Sequence, residues 1–68
     1  MTIEQIKTAV DNGEIVHAHN SSYTVIKDKV GQYLIHHING SYIGLYGTYL
    51  GVSTLNMEPD SFYIENLV

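Results

Sequence analysis

Sixty-eight residues without a cysteine make one small domain, near the size at which a single core must hold the chain with no disulfide to help it. Three lysines (Lys7, Lys27, Lys29), no arginine and seven acids give a net charge of −4. That is too little clustered positive charge for the phosphate contacts of duplex binding, and the acids are too scattered to imitate a phosphate backbone.

The opening stretch "MTIEQIKTAVDNG" has an acid at position 4 and no apolar run longer than two, so it reads as neither a signal peptide nor a membrane span. A cytoplasmic protein is expected, with no membrane partner and no direct nucleic-acid partner. Thr2 followed three residues on by Gln5 is a capping box. Ile3, Ile6, Ala9 and Val10 then recur at helical spacing until Asn12-Gly13 offers a left-handed stop, which predicts an amphipathic helix over about residues 3–12.

From Glu14 the period falls to two and β-branched and aromatic residues rise, predicting strands over about 14–19, 23–28, 32–38 and 41–46. Their connectors are hairpin-length: Asn20-Ser21-Ser22, then Lys29-Val30-Gly31 with a left-handed Gly31, then Asn39-Gly40 as a type I′ turn. After Gly47 the alternation is lost. A loop with one short strand near 49–54 is expected, and "FYIENLV" predicts a terminal strand over about 62–67. The fold class is α+β: one domain over residues 1–68, with an N-terminal helix packed on one face of a four- to five-stranded antiparallel meander.

Loop length fixes register. The type I′ turn sets His36 opposite Ile43 and Ile35 opposite Gly44. The 29–31 loop sets Ile26 opposite Leu34 and Tyr23 opposite His37, and a three-residue loop at 20–22 sets Ala18 opposite Thr24. Alternation then gathers Val16, Ala18, Thr24, Ile26, Leu34, His36, Ile38, Ile43 and Leu45 on the face expected to lie under the helix. The opposite face collects Ile15, His17, His19, Tyr23, Val25, Tyr33, Ile35, His37, Tyr42 and Tyr46. One helix covers only one side of such a sheet, and a tyrosine-rich uncovered side is the composition of a contact surface. Tyr23, Tyr33, Ile35, His37, Tyr42, Tyr46, His17 and His19 are therefore the candidate partner-binding residues. The alternative is that residues 48–68 fold back over them.

His17, His19 and His37 share that face, and His19-Tyr23-His37 forms a predicted cross-strand row. Zinc could take two histidines spaced i and i+2, but His19 and His37 stand two strand steps apart, about 10 Å, and no acid on the face orients the rings. No metal and no cofactor are expected. An interface holding three histidines would gain charge below about pH 6.5. The serines all fall in predicted turns, the chain lacks cysteine and facing carboxylates, and "GSYIGLYG" has no helix after its glycines, so no enzyme is expected.

The run "TIEQIKTAVDNG", "VHAHNSSYTVIKD", "GQYLIHHINGSYIGLYG" and "TLNMEPDSFYI" resembles, over nearly the whole chain, a class of very short phage, prophage and plasmid proteins. In that class a helix, a "GQYLI" strand, an "IGL" strand and a "TLN…FYI" ending recur. The resemblance implies an accessory protein that inhibits a host system by binding a protein surface in the host cytoplasm, as anti-CRISPR and anti-restriction proteins do. This chain departs from the class at "LYGTYLGVS", where a tryptophan-containing turn is commoner. The leading expectation is a non-enzymatic inhibitor that binds a host protein through the Tyr/His face or the acidic segment 58–65. Its rivals are a homodimer that packs those faces together and a histidine-based metal or ligand module.

Overall fold

The computed structural model describes residues 1–65, and it closes helix α1 (Ile3–Asp11) at both ends with the devices its sequence carries. The Gln5 N–H donates to the Thr2 hydroxyl at 3.1 Å and the Thr2 N–H donates to the Gln5 side chain at 2.9 Å. At the other end Gly13, at φ +82°, donates to the Val10 carbonyl, and the Glu14 N–H reaches the Ala9 carbonyl. Those are the paired bonds of a Schellman stop. The buried stripe of the helix, Ile6 and Ala9, packs on Val16, Ala18, Val25, Ile35, Leu45 and Phe62.

The strands are β1 (Val16–Ala18), β2 (Asn20–Lys27), β3 (Tyr33–His37), β4 (Tyr42–Gly44), β5 (Tyr46–Tyr49), β6 (Val52–Leu55) and β7 (Phe62–Ile64). Five of them form one antiparallel sheet in the order β4-β3-β2-β1-β7. The fold is thus α+β, a helix on one face of a five-stranded antiparallel sheet. The first four strands run as the expected meander, and a 3-10 turn at Pro59–Ser61 delivers β7 to the free side of β1.

Several local bounds differ from the expected ones. The segment expected as a loop with one short strand is a second, two-stranded sheet, β5 with β6, that leaves the main sheet at Leu45. The fourth strand accordingly stops at Gly44, and β2 begins earlier, at Asn20. Of the terminal strand expected over 62–67, Phe62–Ile64 is formed, and residues 66–67 lie outside the described residues.

Registers explain the largest correction. Between β2 and β3 the pairs are as the loop length dictates, Tyr23 with His37 and Ile26 with Leu34, because Gly31 closes a three-residue loop at φ +87°. The other two hairpins are displaced. β1 meets β2 through a bulge that sets His17 opposite Thr24, with His19 turning the chain at φ +66°. Around Asn39-Gly40 the loop has three residues in place of two, so Ile43 faces Ile35 and Tyr42 faces His36.

A one-residue displacement moves every following side chain to the other face. The two displacements cancel at β4 and leave β2 and β3 inverted. Tyr23, Val25, Lys27, Tyr33 and Ile35 therefore lie on the helix side of the sheet, where Val25 and Ile35 are core, Ile35 only 1% exposed, and Lys27 reaches Asp11 from the rim. Thr24, Ile26, Leu34, His36 and Tyr42 look away from the helix. The apolar residues on both faces of the β2–β3 pair resolve accordingly: the Val25–Ile35 side is core, and the Ile26–Leu34 side is half-exposed.

Candidate functional site

The eight candidate contact residues do not share one surface. Ile35 is core, and Tyr23, Tyr33 and Tyr46 are half-buried against it. Tyr33 lies beneath the helix: its hydroxyl donates to both carboxylate oxygens of Asp11, at 2.7 and 2.9 Å. The Lys27 ammonium adds a bond to the same carboxylate at 3.2 Å and lies 5.2 Å from the Tyr33 ring. The Tyr33 hydroxyl first, and Lys27 second, hold the Asp11 carboxyl below its ordinary range. The Asp11 bond in turn holds Lys27 above its own. These groups fasten the end of the helix to the sheet.

The predicted row does form on the helix side. His19 meets the Tyr23 ring edge-on at 6.2 Å, and Tyr23 meets His37 at 4.6 Å. Tyr42 stands apart on the other face, 57% exposed and 4.6 Å from the His36 ring. Among the described residues no three His, Asp or Glu side chains converge as a metal ligand set would.

His17 is separate again and buried. Its Nδ1 lies 3.0 Å from the Tyr23 carbonyl oxygen, its Nε2 lies 2.9 Å from a Glu65 carboxylate oxygen, and the Tyr63 ring stands 5.4 Å away. With Thr24 Oγ1 3.3 Å from Nδ1, the line Thr24–His17–Glu65 has the outline of a nucleophile–base–acid relay. The bonding argues otherwise. A carbonyl oxygen only accepts, so Nδ1 carries its proton toward Tyr23 and has no lone pair to take one from Thr24. The imidazole instead ties the end of β7 to β1 and β2.

The surface that stands out is one the sequence reading passed over. Strands β5 and β6 form a finger whose base is anchored by buried Leu45 and by Leu55 and Met57, packed against the core. Asn56 fixes that base to β4, its side chain donating to the Gly44 carbonyl at 2.8 Å and its N–H to the Leu45 carbonyl. At the tip Tyr49, Leu50 and Val52 are 69%, 89% and 62% exposed. Leu50 at φ +52° and Gly51 at φ +79° make the tight turn, with Tyr49 paired to Val52. Both central residues of a type I′ turn take positive φ, which suits Asn-Gly and costs a leucine about 1–2 kcal/mol. An exposed leucine held in that conformation is strain with little packing return among the described residues.

A compositional signal that takes in this surface together with β3 and β4 was present. Between Lys29 and Glu58 there is no acidic or basic residue apart from His36 and His37, although the chain carries three lysines and seven acids elsewhere. Depletion of charge with exposed tyrosine and aliphatics is the mark of an interface centre, and ordinary solvent-facing strands are guarded by charges. Among the described residues no helix is long and apolar enough to cross a membrane. Comparison with protein-family models, with curated proteins and with solved structures gives no match for this chain.

Proposed function

We propose that this chain is a non-enzymatic accessory protein that acts by binding another protein, with the β5–β6 finger as its contact surface. The observation that carries the reading is the tip, where a strained Leu50 is presented between exposed Tyr49 and Val52 on a hairpin without a charged residue. The resemblance to short phage proteins supplies the setting: the partner is a host protein, and its occupation inhibits it. The Tyr/His face is not retained as the contact, because Ile35 is core and Tyr23, Tyr33 and Tyr46 are half-buried against the core.

The test is capture from bacterial lysate by tagged wild type, Leu50→Asp and Tyr42→Asp, each shown to be folded by its urea melt, with bound proteins identified by mass spectrometry. One host protein retained by wild type and by Tyr42→Asp and lost by Leu50→Asp is the expected result. Loss with Tyr42→Asp alone would move the contact to the helix-distal face of the main sheet. Recovery of this chain alone would replace the reading with self-association.

A further inference from the structure

The two edges of the five-stranded sheet are finished differently. On β4 the outward groups belong to Tyr42 and Gly44, and the Gly44 carbonyl is already capped by Asn56. On β7 the Glu65 N–H bonds the Ile15 carbonyl, the His19 N–H bonds the Ser61 carbonyl, and Tyr63 pairs with His17. Alternation therefore turns the backbone groups of Phe62 and Ile64 outward; the Phe62 N–H is taken by the Pro59 carbonyl in the 3-10 turn, which leaves the Phe62 C=O and the N–H and C=O of Ile64 with no strand of the described residues paired to them.

A shallow groove of about 640 Å³ runs beside this edge, between β7 and α1. Ile64, Ala9, Thr8 and Met1 contribute to its lining, and Glu4 and Glu14 supply its charged side chains. The cation at its end, the Met1 ammonium, is held by the Pro59 carbonyl at 2.8 Å.

We infer that this groove takes an extended basic peptide segment of a partner protein, added as a further strand against β7. The Phe62 carbonyl and the N–H and carbonyl of Ile64 provide the main-chain bonds of strand addition, and alternate side chains of the added segment enter the groove. The two glutamates select lysine or arginine there. A second copy of this chain is a poor occupant, since it would bring its own Glu4 and Glu14 toward these in a molecule of net charge −4. The inference goes beyond the finger and stands whether or not the finger is the primary contact.

The experiment is fluorescence anisotropy with a labelled hexapeptide of alternating valine and lysine, beside its valine–glutamate counterpart and a version N-methylated on alternate residues. Wild type should bind the basic peptide saturably and the other two roughly tenfold more weakly or worse. Ile64→Pro removes one outward N–H while sparing the bonds of Tyr63 and Glu65 to β1, and should cost about tenfold. The Glu4→Gln/Glu14→Gln double variant should weaken binding several-fold and flatten its salt dependence. Should Ile64→Pro fail to fold, the N-methylated peptide and the double variant decide the matter. Absent binding, equal binding of the acidic peptide, equal binding of the N-methylated peptide, or a sedimentation dimer abolished by Ile64→Pro would each overturn the inference.

Discussion

The main sheet with its helix and the finger are both antiparallel β-structure, yet they are held by opposite means. Across the sheet Ile6, Val16, Ile35 and Leu45 are completely or almost completely removed from water, and the polar groups beside them are bonded. Along the finger only the root is packed, and the tip exposes Tyr49, Leu50 and Val52. A chain this short has little stability to distribute, on the order of 5 kcal/mol, so apolar area left in water and a strained turn residue are features the fold itself does not need. The sharpest way to break the contrast is truncation on each side of it. Ile35→Ala should cost about 2–5 kcal/mol in urea unfolding and leave the chain largely unfolded, whereas Val52→Ala should stay within about 0.5 kcal/mol. Comparable losses would mean that the finger is part of the cooperative core.

A smaller effect of opposite sign sharpens it. Leu50→Asn places the preferred residue at the first centre of the type I′ turn and relieves the left-handed leucine, so it should stabilise the chain by about 0.5–1 kcal/mol in the same melt. The lysate capture that depends on Leu50 should fall at the same time. Stability and binding moving in opposite directions at one residue is what separates a tip shaped for contact from one tolerated by drift. If stability rises and capture is untouched, the strained leucine is incidental.

How much of this was legible before the structure depended on whether a local rule met a competing one. The helix was readable to within one residue, Asn12 proving to be its cap, because Thr2, Gln5 and Gly13 each have a single low-energy role. The β2–β3 register was readable because Gly31 fixes a three-residue loop. At Asn39-Gly40 the residues of a type I′ turn were present, but Gly40 at φ +95° closes a three-residue loop, and the Asn39 side chain accepts from the Ser41 N–H at 2.9 Å. The type I′ backbone appears instead at Leu50-Gly51, where propensity argues against it. The bulge at His17/Ala18 had no local signature at all. Each slip inverts a face, so the side chains of β2 and β3 were assigned to the wrong sides of the sheet although most strands were found. The uncharged run from Val30 to Met57 takes in β3, β4 and the finger alike, so charge read by segment narrows the surface to that half of the chain and exposure then separates the finger tip.

The smallest effect tests the charged side of the comparison, where Asp11 joins the helix to Tyr33 and Lys27. The Tyr33 hydroxyl, and then Lys27, lower the folded Asp11 value below its unfolded one. Its contribution is therefore complete above the ordinary carboxylate value and is lost as pH falls through the depressed folded one. Lys27 is shifted upward by Asp11, so its share is present below the ordinary lysine value and is lost only as pH rises through the raised folded one. Both groups are exposed, so screening keeps the effect small and added salt shrinks it further. Urea midpoints measured through the acid range should decline less steeply below about pH 4 for Asp11→Asn than for wild type. They should run parallel for the two proteins near neutrality, where the carboxylate is fully ionised in both states. Parallel curves across the acid range as well would reduce the Asp11 cluster to positioning the helix without holding it, leaving the burial of Ile6 and Ala9 as what keeps α1 on the sheet.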